Sequence, residues 1–212
     1  MKFNNRKILL ADDHVIIRRG LRTLLDNNFG QSEWTEVDRT DDVLNELKKK
    51  SYTHAILDMQ LLDANLLEVI PEIKRVNPDL PLLIYTMCNE DLYAPRLLKL
   101  GVQAFLSKQL SEEHIVKAFG CFFQNKSYFS EHVLYDVYTD KIKPLNPINE
   151  LSQREFAVLQ YLVKGLSVKD ICGILNLKTT TVATYKARIF EKTNAESVVD
   201  LVRLMDLYSN EK

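Results

Sequence analysis

Asp12 and Asp13 close one apolar run, Lys7-Ile8-Leu9-Leu10-Ala11, and Asp58 closes another, His54-Ala55-Ile56-Leu57. If these runs are neighbouring parallel strands, three carboxylates meet at one sheet edge. Such a cluster repels itself at neutral pH unless a hard divalent cation neutralises it, so the edge is suited to Mg²⁺. A carboxylate backed by a metal is in turn a candidate phosphoryl acceptor.

The elements that would position these groups follow from periodicity. Through about residue 125, short apolar runs alternate with amphipathic stretches, the pattern of βα units around a parallel sheet. Strands are expected at 7–12, 33–37, 53–58, 82–86 and 103–106, and helices at 14–27, 41–49, 66–76, 91–100 and 111–123. If the fourth helix starts near Asp91 or Leu92, Pro95 falls in its first turn, where no N–H is needed. Gly101 then ends it. His14 reads as a first-turn helix residue rather than a ligand, since Mg²⁺ favours oxygen. The expected fold class is α/β, a flavodoxin-like, doubly wound, parallel five-stranded domain, followed by a linker and an all-α helix-turn-helix domain. In that strand order functional groups gather at the carboxyl ends of the strands. Thr86 and Lys108 would therefore join Asp12, Asp13 and Asp58, a set suited to phosphoryl transfer onto Asp58 with Lys108 and Thr86 on the phosphoryl oxygens.

Beyond residue 125 a linker helix is expected after a cap at Ser130. Pro144 and Pro147 then mark the domain boundary. The division expected is 1–125, a linker over 126–148, and 149–212. The last part carries three capping-box candidates, Ser152 with Glu155, Ser167 with Asp170 and Ser197 with Asp200. Gly165 and Asn176 sit where helices should end. The third helix, about 179–192, has Val182, Tyr185 and Ile189 on one face and is rich in Lys and Arg elsewhere. That is helix-turn-helix spacing, with a positive face suited to the DNA major groove. Lys178, Thr180, Ala183, Thr184, Lys186, Ala187, Arg188 and Lys192 are the candidate DNA-facing residues.

Composition sets the limits. The chain has 212 residues, 46% hydrophobic and 27% charged, with a formal net charge of -1. A uniformly basic protein is excluded, so nucleic-acid contact must come from a local patch. No apolar run approaches the roughly 18 residues that span a bilayer, so no membrane partner and a cytoplasmic location are expected. Cys88, Cys121 and Cys172 lack ligand or disulfide spacing and read as reduced structural thiols.

Residues 5 to 125 resemble a response-regulator receiver domain: the acidic pair Asp12-Asp13, the acceptor Asp58, Thr86, the aromatic Phe105 and Lys108 all fall in its pattern. Residues 151 to 205 resemble a LuxR-type helix-turn-helix, through Leu151-Ser152-x-Arg154-Glu155-x-x-Val158-Leu159, Gly165, Lys169-Asp170-Ile171, Thr181-Val182 and Lys192. Together they resemble a NarL/FixJ-type response regulator, and Thr184-Tyr185-Lys186-x-Arg188 is similar to the BvgA and EvgA branch. The resemblance implies a transcription factor, not an enzyme, switched when a sensor histidine kinase phosphorylates Asp58. It also implies that Thr86 and Phe105 reposition together and that a homodimer contacts double-stranded DNA, paired through the final helix. Leu62 and Leu66 depart from the family's Pro and Gly after the acceptor. They suggest the alternative of a phosphate-independent receiver acting as a protein-interaction module. Lys178 replaces the usual capping Ser, so Thr179 is expected to cap the recognition helix.

Overall fold

Runs in which nearly every residue is apolar form the central strands, because a strand covered by helices on both faces must be apolar on both. The strands are β1 (Lys7–Ala11), β2 (Glu33–Val37), β3 (His54–Leu57), β4 (Leu82–Thr86) and β5 (Ala104–Ser107). Within β1, β3, β4 and β5 every residue except Lys7 and Ser107 is buried, whereas β2 at the sheet edge is half-buried to exposed. All pair in parallel, in the order β2-β1-β3-β4-β5. This is the doubly wound arrangement the alternating pattern predicts. The structure, a computed structural model, describes residues 6–61, 66–139 and 147–209. Leu62 and the expected boundary at 141–146 lie outside the described residues.

Helices α1 (Val15–Phe29), α2 (Thr40–Lys49), α3 (Leu66–Val76), α4 (Glu90–Lys99) and α5 (Glu112–Phe122) follow the strands in turn. Side chains alternate across a strand, so Ile8, Leu10, Ile56, Leu83, Tyr85 and Leu106 face one way, into a core with Leu21 and Leu25 of α1 and Phe119 and Phe122 of α5. Leu9, Ala11, Leu57, Ile84 and Phe105 take the other face, and Val43, Leu47, Ile70, Ile73 and Leu97 of α2 to α4 are likewise buried. His54 closes the first core at its lower end. Its ring meets those of Phe122 and Phe123 edge-on at 5.0 and 5.1 Å. Burial, with the nearby Arg6 charge, pulls its pKa down to about 4.

Local signals set the helix ends. Asn89 caps α4 by accepting from the Asp91 N–H at 2.9 Å. Gly101 then takes a φ of 81°, a left-handed conformation that only glycine adopts without cost. The expectation for Pro95 is corrected: α4 begins at Glu90, so Pro95 is the sixth residue, past the first turn. It has no N–H to offer there, and Asn89 moved the start because its side chain is the better cap.

By contacts the chain divides into two units, Met1–Leu134 and Tyr135–Lys212. The first runs past residue 125 because the chain returns to the sheet: Tyr128 N–H donates to Gln103 O, and Phe105 N–H donates to Tyr128 O, both at 3.0 Å. Helix α6 (Glu131–Tyr138) starts on α4, where Ser130 N–H donates to Glu90 Oε1 at 2.9 Å and the His132 ring pairs with Asp91.

The second unit holds a short 3₁₀ turn (Pro147–Glu150), α7 (Gln153–Leu162), α8 (Val168–Leu175), α9 (Thr179–Thr193) and α10 (Val198–Ser209). All three capping boxes form. Gly165 and Asn176 both adopt positive φ, at 79° and 52°. Val158, Leu159, Leu162, Ile171, Val182, Ile189, Leu201 and Leu204 make the buried core.

Candidate functional site

Strand register builds the acidic pocket. Ala11 of β1 is paired with Leu57 of β3, so the next residues, Asp12 and Asp58, emerge side by side. The Asp58 N–H donates to Ala11 O at 2.8 Å. On the other side Thr86 pairs with Ser107, and the Lys108 N–H donates to Thr86 O at 2.8 Å. Residues far apart in sequence therefore meet at the carboxyl edge of the sheet.

Lys108 Nζ lies 2.6 Å from Asp12 Oδ2 and 2.6 Å from Asp58 Oδ2, bridging two carboxylates whose side chains are 2% exposed. Burial alone would lower the Lys108 pKa, but hydrogen bonds to Asp12 and Asp58 and their charges outweigh it and hold the pKa above its ordinary value. The ammonium also sits 5.8 Å above the Tyr85 ring. Burial pushes the Tyr85 hydroxyl up, an effect the Lys108 charge opposes. Sequence reasoning passed over Tyr85. Its one signal is its place in β4 beside Thr86, which periodicity assigns to the core.

Asp12, Asp13, His14 and Asp58 each present a donor atom, all within 4.8 Å of one another. Three carboxylates against one ammonium leave two negative charges, which one divalent cation neutralises. Asp58 Oδ1 is buried and accepts no hydrogen bond, a state that is costly unless a cation or donor reaches it. The donor set therefore fits a hard divalent ion. His14 is not in the first turn, as the sequence suggests; it is the N-cap of α1, with extended backbone at φ -92°.

Thr86 is fully buried, and its Oγ1 accepts from the Cys88 N–H at 3.3 Å. Phe105 is 2% exposed and pairs in register with Ile84. Ile84 and Thr86 are two apart in one strand, so Phe105 and Thr86 share a sheet face as diagonal neighbours. Leu66, one of the two departures noted above, is fully buried at the start of α3.

In the second unit, α8, the turn at 176–178 and α9 form a helix-turn-helix. Thr180, Ala183, Thr184, Ala187 and Arg188 of α9 are exposed, as is Lys178. Lys186 is half-buried, its ammonium 5.7 Å over the Phe190 ring. The expected Thr179 cap is corrected. Lys178 is the N-cap residue and makes no side-chain cap bond, while its carbonyl accepts the N–H groups of Thr181 and Val182. Lys192 turns inward. Its Nζ lies 2.7 Å from the buried Glu155 and 3.2 Å from Glu150 O. Burial would raise the Glu155 pKa, but the bonds from Lys192 and Ser152 bring it to about 2.

Cys88, Cys121 and Cys172 take part in no disulfide among the described residues. Among the described residues no helix is long and apolar enough to cross a membrane.

Comparison with known proteins agrees with this geometry. Residues 8–120 match the response regulator receiver domain, and residues 149–205 match the luxR family of bacterial regulatory proteins. BvgA of Bordetella pertussis is 32% identical over 93% of this chain and 95% of its own. The response regulator GacA of Pseudomonas aeruginosa is 27% identical over 93% and 94%. Among solved structures, RcsB bound to DNA has a TM-score of 0.69 at 24% identity, covering 97% of this chain and 100% of that one. The class is thus a receiver fold joined to a luxR-type helix-turn-helix. The chain belongs to the response-regulator family, in its NarL/FixJ-type branch, and its relatives are transcriptional regulators of two-component systems.

Proposed function

We propose that Asp58 accepts a phosphoryl group from a partner sensor histidine kinase and that the phosphorylated chain binds double-stranded DNA as a homodimer. The observation that carries this reading is the Asp58 carboxylate: Oδ2 is held by Lys108 at 2.6 Å, and Oδ1 is buried without a hydrogen bond. An Asp58 oxygen attacks phosphorus, the bond to the donor nitrogen breaks, and an acyl phosphate forms. Lys108 moves from its carboxylate partners to the phosphoryl oxygens, and Thr86 supplies a hydroxyl to them. Asp12, Asp13 and Asp58 would hold Mg²⁺, which when bound shares the negative charge on those oxygens.

The residues of the switch act through packing. Recruitment of the Thr86 hydroxyl leaves space on the face it shares with Phe105, and the aromatic ring follows. The protein then functions as a switch rather than by substrate turnover, because phosphorylation shifts an equilibrium only as far as it favours one arrangement.

We assign DNA contact to Lys178, Thr180, Ala183, Thr184, Lys186, Ala187 and Arg188, with the short side chains toward base edges and the cations toward phosphates. Lys192 serves the fold through Glu155. RcsB dimers occupy DNA in the solved structures; here Val199, exposed on α10, supports a self-contact through that helix. We assign 1–125 to the receiver, 126–148 to a linker whose first residues, through Tyr128, stay hydrogen-bonded to the receiver sheet, and 149–212 to the DNA-binding domain. We infer a cytoplasmic location, which a DNA partner supports. Acetyl phosphate with Mg²⁺ is expected to add the mass of one phosphoryl group to the parent chain and none to Asp58→Ala. An unmodified parent, or a modified variant, overturns the reading.

A further inference from the structure

We propose that a cleft at the amino end of the sheet, opposite the acidic pocket, binds a zwitterion of the α-amino-acid class, its carboxylate on Lys74 and its ammonium toward Asp79 and His54. The site is independent of the phosphoacceptor reading and adds a small-molecule ligand to the first unit.

The cleft lies at the starts of β3, β4 and β5, between the last turns of α3 and α4 and the chain that leaves α5. Its volume is about 700 Å³, within the roughly 300–1,000 Å³ usual for small-molecule sites. Lys74 and Asp79 are its charged residues, and Thr53, Gln103, Asn125 and Ser127 supply uncharged donors and acceptors. Lys74 is held in place before any ligand arrives. Its Nζ donates to Leu80 O at 2.9 Å and to Pro78 O at 3.4 Å, and its stem passes Gly101, where a Cβ would stand 3.5 Å from Cε. An ammonium has three donors, so one remains for an anion. Burial pulls the Lys74 pKa below its ordinary value, an effect the Asp79 charge opposes, so a ligand carboxylate would relieve a cost already present.

His54 supplies a separate observation. The Thr53 hydroxyl donates to Lys7 O at 3.1 Å, which leaves its oxygen to accept from His54 Nδ1 at 3.0 Å. The proton of the neutral ring is therefore on Nδ1, and Nε2 is a lone pair. His54 lines the cleft and is 7% exposed, and its Nε2 is buried without a hydrogen bond, a state that a ligand N–H relieves. A simple anion would be repelled by Asp79 and would leave this lone pair unserved. A simple cation would be repelled by Lys74. A molecule carrying both charges avoids both penalties, which selects an amino acid over either single ion.

The full chain, labelled with ¹⁵N, is titrated with free α-amino acids at millimolar concentration and followed by NMR at the His54 ring and the amides of Gly101 and Gln103. At least one amino acid should shift these signals saturably. Its N-acetyl form, which lacks the ammonium, and its methyl ester, which lacks the carboxylate, should bind at least about tenfold more weakly, the worth of one charge-assisted hydrogen bond. Lys74→Met and Asp79→Asn should weaken binding by a similar factor. Asp79 is exposed, so Asp79→Asn and the two derivatives decide the matter if Lys74→Met does not fold. No saturable shift with any amino acid, shifts that avoid these residues, derivatives that bind as the parent acid does, or binding unchanged in Asp79→Asn overturns the proposal and leaves the role of Asp58 untouched.

Discussion

Lys108 is the residue on which the pocket's charge balance turns, since its one ammonium offsets two buried carboxylates. Lys108→Ala leaves both without a cation, and removing one partner of a buried pair costs about 3 kcal/mol or more. Urea denaturation should show that loss without divalent ions and recover part of it in millimolar Mg²⁺; a variant as stable as the parent in both conditions contradicts the balance drawn here. Lys192 makes a contrasting case. Its sequence register places it among DNA-facing cations, yet its contact is the buried Glu155. Lys192→Met should destabilise the DNA-binding unit by roughly 1.5–3 kcal/mol, the worth of a hydrogen bond to a charged group. It should leave the salt dependence of DNA binding unaltered, whereas Arg188→Ala should reduce the slope of log affinity against log salt by about one. A flattened slope in Lys192→Met would return that residue to the interface. With its pKa near 2, the Glu155 carboxylate contributes stability that is complete above the ordinary 4.5 and disappears as pH falls through 2.

Among the elements, α9 carries the DNA prediction. Thr184→Ala and Lys186→Ala should each weaken binding to selected DNA in a gel shift, and full affinity in both would reject α9 as the recognition helix. Strand β3 carries a pH prediction through His54. Folding holds its imidazole neutral, with a pKa near 4 against an ordinary 6.5, so the unfolded chain binds the extra proton first. Receiver stability should therefore be complete above pH 6.5 and decline as pH drops toward 4. His54→Leu, similar in size, should flatten the decline over that interval, and an equally steep fall in the variant would locate the effect elsewhere. These elements were largely legible beforehand, because a continuous apolar run such as Leu82-Leu83-Ile84 and a Ser-x-x-Glu box are local signals. The start of α4 was not. Pro95 argued for a later start, but the Asn89 side chain captured the first N–H instead. Nor was the inward course of Lys192, because helical spacing says which residues share a face but not which carboxylate waits across the packing interface.

At the scale of the whole molecule, two units joined through α6 must communicate if phosphate on one controls DNA on the other. Light scattering should show the chain shift toward dimer on treatment with acetyl phosphate. DNA affinity should rise at least tenfold, about 1.4 kcal/mol, and Asp58→Ala should show neither change. Equal affinity with and without phosphate would favour the phosphate-independent module instead. Much of this architecture was written in the order of residues alone: which runs are apolar, where helices are capped, and that acidic groups close the first and third strands. Those properties depend on neighbours a few positions away, so periodicity and side-chain chemistry suffice to read them. Only the folded chain decided that Asp12 and Asp58 stand on one ammonium, that Asp58 Oδ1 is buried without a partner, and that His14 turns back into the cluster. Such facts come from strand register and cap geometry between segments as distant in sequence as Asp12 and Lys108, and electrostatics at a few ångströms has no signature in linear spacing.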